Sequence, residues 1–309
     1  MNILITGGSG MVGRNLNEHP EMKSHKVFTP SSKELNLLSY DSIVKYIDGK
    51  NIDLIIHCAG KVGGIQANIK NPVNFLVENI DMGKNVVLAA RECGIKKLLN
   101  LGSSCMYPRN ATNPLSEDQI LKGELEPTNE GYALAKIAVS RLCDYINKED
   151  DSYFYKTLVP CNLYGRYDKF DPENSHMIPA VIRKIHEAKE SSVEEVEIWG
   201  DGLARREFML ASDLSDFIVF SLRKMEELPQ YVNIGLGNDY TINEYYKAIA
   251  KVIGYEGTFF HNLDKPVGMK QKLVDIKRMN DLGWNKTTKL EEGISKTYQF
   301  FLENYGNTK

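Results

Sequence analysis

No apolar run in the 309-residue chain approaches the roughly 20 residues that a membrane-spanning helix requires, and the mean hydropathy is −0.35. An integral helical membrane protein is excluded. The N-terminus lacks the basic start, long apolar core and small-residue cleavage site of a signal peptide, because Met1 leads straight into Asn2-Ile3-Leu4-Ile5-Thr6. Cysteine is scarce. Five residues stand at 58, 93, 105, 143 and 161, an odd number at wide spacing without a C-x-x-C pair. Neither a disulfide framework nor a cysteine-rich metal site is supported, and a reducing cytoplasm fits best. There is no block of basic residues. Lys and Arg total 38 against 41 Asp and Glu, a net charge of −3, which argues against a dedicated nucleic-acid binder. Internal repeats, low-complexity tracts and Pro/Gly/Ser linkers are also missing. What remains is ordinary globular composition, long enough for one large domain or two intimate ones.

The first half alternates short apolar segments with amphipathic ones. Residues 2–6, 26–29, 53–57, 97–102 and 154–160 read as strands, and a helix is predicted from Met11, over 72–93 and over 131–147. Strands that are apolar throughout and alternate with helices predict an α/β fold, a doubly wound parallel sheet of the Rossmann type covered on both faces. The second half is less regular, with helices predicted at 179–190 and 241–253 and strands at 196–199 and 232–234. It is expected to form a smaller C-terminal α+β substrate lobe over 165–309. The cofactor-binding domain is expected over 1–164, with a return to the main sheet near 213–237.

Gly7, Gly10 and Gly13 follow the first strand and open the first helix with the spacing G-x-x-G-x-x-G. A dinucleotide pyrophosphate needs such a loop: a tight turn, close backbone approach, and free N–H groups at a helix N-terminus. The second strand ends in Thr29-Pro30-Ser31-Ser32-Lys33, with no acid before Glu34. Two hydroxyls and a cation suit a 2′-phosphate better than a free ribose hydroxyl, which favours NADP(H). Tyr132 and Lys136 form Y-x-x-x-K within a predicted helix, on one face at i, i+4. To trade a proton with a ketone oxygen near neutrality, a phenol would have to fall from about 10 toward 7, roughly 4 kcal/mol, and a neighbouring ammonium favours the phenolate. Ser103, just beyond the fourth strand, is placed to hold the same oxygen.

These residues resemble the extended short-chain dehydrogenase/reductase family. Further stretches at 61–65 (KVGGI), 101–108 (LGSSCMYP), 125–130 (LEPTNE), 162–165 (NLYG) and 174–179 (NSHMIP) are similar to its GDP-L-fucose synthase group. The likeness runs from Met1 to about Asn304. It implies an NADPH-dependent epimerase/reductase that converts GDP-4-keto-6-deoxy-mannose to GDP-L-fucose. Tyr132 would protonate the carbon-4 oxygen, Lys136 would bind the nicotinamide ribose and lower the Tyr132 pKa, and Ser103 would orient the carbonyl. Cys105 and His176 would be the epimerisation pair at carbons 3 and 5, with Cys105 as base. Thiol and imidazole both exchange protons near neutrality at their ordinary pKa values. The implied cofactor contacts are Gly7, Ser9, Gly10, Met11, Val12, Gly13, Ser32, Lys33, Leu101, Gly102, Lys136, Pro160, Asn162, Leu163 and His176. The implied contacts to the GDP-sugar are Asn162, Lys184, Trp199 and Arg206. A cytoplasmic homodimer is also implied, and no metal.

The chain departs from the group's pattern at several points. Ser9 and Ser32 stand where arginines are usual, with Lys33 or Arg14 left to compensate. Val267 replaces an aspartate beside the nucleotide sugar, and 165–168 and 209–213 also differ. Losing a carboxylate that receives a sugar hydroxyl changes which sugar is accepted. The alternative expectation is a carbon-4 reductase of a related GDP-4-keto-6-deoxy sugar, such as a heptose, with epimerisation reduced or lost.

Overall fold

A computed structural model describes residues 1–171, 175–265 and 268–306. Five strands, β1 (Asn2–Thr6), β2 (Lys26–Phe28), β3 (Leu54–His57), β4 (Lys97–Leu101) and β5 (Phe154–Pro160), join a sixth at Tyr231–Ile234. All are parallel, in the order Tyr231–Ile234, β5, β4, β3, β1, β2. The reversal of strand order between β1 and β3 is the switch point at which doubly wound sheets bind ligands. The second half of the chain therefore returns to the main sheet, alongside β5.

The strands are apolar on both faces because both faces are covered. Ile3, Ile5, Leu54, Ile56 and Leu99 enter one core, together with Leu214, Phe217 and Ile218 from the Ala211–Leu222 helix. Their neighbours Leu4, Ile55 and Leu98 enter the opposite core, with Val86, Val87, Val139 and Cys143. This is the period-2 alternation of a strand feeding two layers. The second core is built by Val86 and Val87 from the Pro72–Glu92 helix and by Val139 and Cys143 from the Glu130–Glu149 helix. Where those helices meet, a Cβ on Gly83 would lie 2.4 Å from Val139 Cγ2.

A third core lies in the C-terminal region, around Tyr164, Phe170, Ile182, Ile198, Tyr245, Ile249 and Phe301. Two strands there, Glu195–Trp199 and Thr258–Asn262, pair in parallel. Arg205–Arg206 pairs antiparallel with Tyr240–Thr241 and parallel with Gln271–Lys272. The Ile242–Ile253 helix opens with a Thr241/Glu244 capping box and closes on Gly254 in the left-handed conformation, so both ends carry local signals. Sequence patterning missed the Ala211–Leu222 helix. It is almost wholly buried and has no side-chain cap, so it presents neither amphipathic period nor start signal. The Tyr40–Ile47 helix was missed despite a Ser39 hydroxyl accepting from Ser42 N–H.

Gly83→Val should overpack the helix contact and destabilise the fold by about 1–3 kcal/mol, read from the urea midpoint. An unchanged midpoint would mean that the two helices are free to separate.

Candidate active site

The carboxyl ends of β1, β3, β4 and β5 open into one cavity of about 1180 Å³ between the main sheet and the C-terminal region. Every residue proposed above for catalysis lines it, as do all the proposed cofactor and substrate contacts except Lys33. Two positions singled out from the sequence, Asn174 and Val267, lie outside the described residues.

At one end stands the glycine turn. Gly7 has φ +72°, and a Cβ there would meet Ala59 N at 2.6 Å; a Cβ on Gly13 would meet Gly7 O at 2.3 Å. Both contacts are with backbone, so neither position admits a side chain. Gly10 caps the Met11–Asn17 helix without a side-chain bond, which leaves the first N–H groups for a ligand. The cradle thus fits a dinucleotide pyrophosphate. Ser32 lines the same end, whereas the exposed Lys33 does not, contrary to expectation. Lys33 stands in a turn in which Ser31 N and Oγ both donate to Glu34 Oε2 at 2.8 Å. Arg14 lies with its guanidinium 5.0 Å from the centre of the Tyr167 ring, also outside the lining.

The middle of the cavity holds the catalytic candidates. Lys136 Nζ donates to the Leu101 carbonyl at 2.8 Å and lies 5.7 Å from the Tyr132 ring centre. The Ser103 hydroxyl is shared between the Tyr132 phenol and Cys105, accepting from Cys105 N–H at 3.3 Å. Phe75 meets Tyr132 edge-on. His176 begins the Met177–Glu190 helix and faces the cavity.

Burial dominates the proton affinities here. It raises the Tyr132 phenol above its ordinary value, and nearby Cys105 adds to this while the Ser103 hydrogen bond opposes it. The expected lowering by Lys136 does not figure among these influences, and desolvation governs the phenol in this cleft. Burial also raises the Cys105 thiol, and it lowers the His176 imidazole, with Lys169 adding to that fall. Lys136 is lowered by burial as well. Each group is therefore pushed toward its neutral form. For Tyr132 this suits an acid, which must hold its proton until the substrate arrives.

At the far end, Lys184 donates to the Glu197 carbonyl at 2.9 Å, and Trp199, about half exposed, donates from Nε1 to Glu197 Oε2 at 2.9 Å. Asn162 Nδ2 donates to Glu207 O at 3.0 Å. Arg205 and Arg206 divide by face. Arg205 pairs with Asp239 outside the cavity, while Arg206 lines it and donates from Nη1 to Arg205 O at 2.8 Å. Sequence reasoning missed Lys272 and Glu126, which also line the wall. No motif marks Lys272. It reaches the cavity only because a two-residue strand pairs it in register with Arg206.

The fold and this constellation define a nucleotide-sugar-modifying dehydrogenase. The chain belongs to the NAD dependent epimerase/dehydratase family, which matches residues 3–235. It is 58% identical to the GDP-L-colitose synthase of Yersinia pseudotuberculosis over 307 residues, 99% of this chain and 100% of that one. It is 46% identical to the GDP-L-fucose synthase of Azorhizobium caulinodans, over 97% and 96% of the two chains. Among solved structures, a GDP-mannoheptose C4 reductase from Campylobacter jejuni with NADP bound superposes with a TM-score of 0.87. It is 29% identical and is covered to 98%, against 97% of this chain.

Gly13→Ala should weaken NADPH binding at least tenfold, about 1.4 kcal/mol, because its Cβ strikes backbone of the cradle. A fluorescence titration of the cofactor measures this, and unchanged affinity would remove the cradle assignment.

Proposed function

We propose that the chain is an NADPH-dependent epimerase/reductase of a GDP-4-keto-6-deoxy sugar. The observation that carries the reading is the convergence of Ser103, Tyr132 and Lys136 with Cys105 and His176 on one cavity that begins at a glycine cradle. NADPH, when bound, supplies hydride to carbon 4. Ser103 holds the carbon-4 oxygen and Tyr132 passes it a proton, so the ketone is reduced without leaving an alkoxide in a dry cleft. Lys136 meets the nicotinamide ribose and supplies the positive charge that lets the phenol give up its proton.

Epimerisation uses the same ketone. Protons on the flanking carbons are acidified through the enolate, and inversion needs a base on one face and an acid on the other. Cys105 takes the proton and His176 returns one to the opposite side. The remaining assignments follow the cavity's length: Asn162, Lys184, Trp199 and Arg206 hold the sugar and GDP, and Ser32 sits at the adenosine ribose.

The favoured product is GDP-L-colitose, because likeness to a colitose synthase is much the stronger and spans both chains fully. GDP-L-fucose, the product expected from the motifs, is the second reading. The two sugars differ by one hydroxyl at carbon 3, so both require inversion at carbon 5. A GDP-heptose reduced only at carbon 4 is supported by the structural neighbour at lower identity. The reading includes a homodimer through the two sheet-flanking helices. Val73 and Val77 on one, and Leu134 and Tyr145 on the other, are large apolar groups left exposed at helical spacing. The reading also includes a cytoplasmic location, which the use of NADPH and a sugar nucleotide supports.

Product analysis by NMR tests the reading directly. The chain is incubated with NADPH and either GDP-4-keto-6-deoxy-mannose or its 3-deoxy counterpart. Turnover of neither, with cofactor still bound, would refute it.

Tyr132→Phe should keep the NADPH Kd within about twofold while lowering kcat for reduction roughly 10²–10⁴-fold; a loss under tenfold removes the acid assignment. Cys105→Ala should abolish deuterium entry from heavy water at carbon 5 and leave ketone reduction measurable.

A further inference from the structure

The short sheet on the far wall divides its polar side chains between two faces. Arg205–Arg206 and Gln271–Lys272 run parallel, with Arg205 beside Gln271 and Arg206 beside Lys272. Side chains alternate along a strand, and residues in register share a face. Behind the sheet stands buried Asp239, one position before the third strand, Tyr240–Thr241. Its Oδ1 accepts from Arg205 Nε at 2.8 Å and pairs with Arg205 Nη2 at 2.7 Å. Its carbonyl accepts from Arg205 Nη2 at 2.8 Å, and its Oδ2 accepts from Gln271 Nε2 at 2.7 Å. One carboxylate therefore grips the rear member of both strands. The front members, Arg206 and Lys272, line the cavity.

Two cations in register on one face repel each other. The same wall carries one carboxylate, Glu126, whose Oε1 already accepts from Thr128 Oγ1 at 3.1 Å. A ligand anion lying across Arg206 and Lys272 stabilises the pair. In a GDP-sugar the base, the ribose and the sugar ring are neutral, and the diphosphate alone is anionic.

We propose that Asp239 is a positioning residue for phosphate recognition: gripping Arg205 and Gln271 from behind, it presents Arg206 and Lys272 side by side to the diphosphate of the GDP-sugar. This rests on the reading that the cavity takes a GDP-sugar, and it adds Lys272 to the anion-binding wall. The front residues are coupled to the rear ones through the backbone. Arg206 Nη1 donates to Arg205 O at 2.8 Å, and Arg206 O accepts from Tyr245 Oη at 2.9 Å. Lys272 O accepts from Glu207 N–H at 3.3 Å. A shift of Arg205 or Gln271 is thus passed to the residue that faces the ligand.

Asp239→Ala and Arg205→Met in the full chain each remove the grip, the second at a partly exposed side chain. Titration with GDP and with guanosine separates phosphate recognition from the rest of the site. Each variant should bind GDP about tenfold more weakly, and guanosine within about twofold of wild type, with the NADPH Kd unmoved. Asp239→Asn, which keeps an acceptor for Arg205 Nε, should recover most of the GDP affinity. Lysine acetylation read by mass spectrometry follows Lys272 itself. GDP should protect it in the wild-type chain, guanosine should not, and the protection should fade in Asp239→Ala. Unchanged GDP affinity in both variants would overturn the assignment. So would equal losses for GDP and guanosine, the mark of a loosened lobe, or a wild-type Lys272 that GDP leaves equally reactive. Should Asp239→Ala fail to fold, Arg205→Met decides alone. A wild-type chain that bound NADPH but not GDP would overturn the GDP-sugar reading, and this assignment with it.

Discussion

The hydrogen bond from Lys136 Nζ to the Leu101 carbonyl ties the Glu130–Glu149 helix to the last residue of β4. Ser103 stands two residues beyond that carbonyl, and Tyr132 stands one turn before that lysine. A single contact therefore sets the spacing of all three groups. It depends on close approach at the strand end. A Cβ on Gly102 would sit 3.0 Å from Met106 Sδ and 3.1 Å from Thr157 Cγ2, tighter than ordinary packing. On the helix side, Ser140 Oγ donates to the Lys136 carbonyl at 2.7 Å and steadies the turn that carries the lysine.

Desolvation then decides how the site rests. Tyr132 and Cys105 are pushed up by burial, while His176, Lys136 and Lys272 are pushed down by it. His57, bonded to Thr6 Oγ1 at 2.7 Å, falls to about 3 by burial first and Lys136 second, so it stays neutral beside that cation. Burial thus disfavours charge on the reacting groups at rest. In a low-dielectric site each such charge interacts strongly with its neighbours. A phenol that keeps its proton is the right resting state for an acid. A thiol that keeps its proton is the wrong one for a base.

What the sequence disclosed follows from the range of the interactions. The five N-terminal strands, the glycine cradle and the Tyr132/Lys136 pair are written in local periods and spacings, and each was found. The turn that carries exposed Lys33 is closed by Ser31 and Glu34, a hydrogen bond that composition does not display. The dominance of burial at Tyr132 depends on everything packed around the ring. Lys272 was invisible for a further reason: its strand partner Arg206 is 66 positions away by residue number, joined to it only through a short strand pairing.

The same distinction separates chemistry from choice of substrate. Ser103, Cys105, Tyr132 and Lys136 all rise from β4 and the helix beside it, a rigid frame that the parallel sheet enforces. The opposite wall comes from short strands of the C-terminal region, where alternation along Arg205–Arg206 sends one guanidinium to Asp239 and the other to the cavity. A register slip of one residue would exchange them. Buried Glu207, next in line, prevents that slip by accepting from Leu236, Gly237 and Val274 at once. Side chains on that wall can differ between relatives acting on different GDP-sugars without disturbing the proton-transfer frame, provided the clamp at Glu207 holds the register.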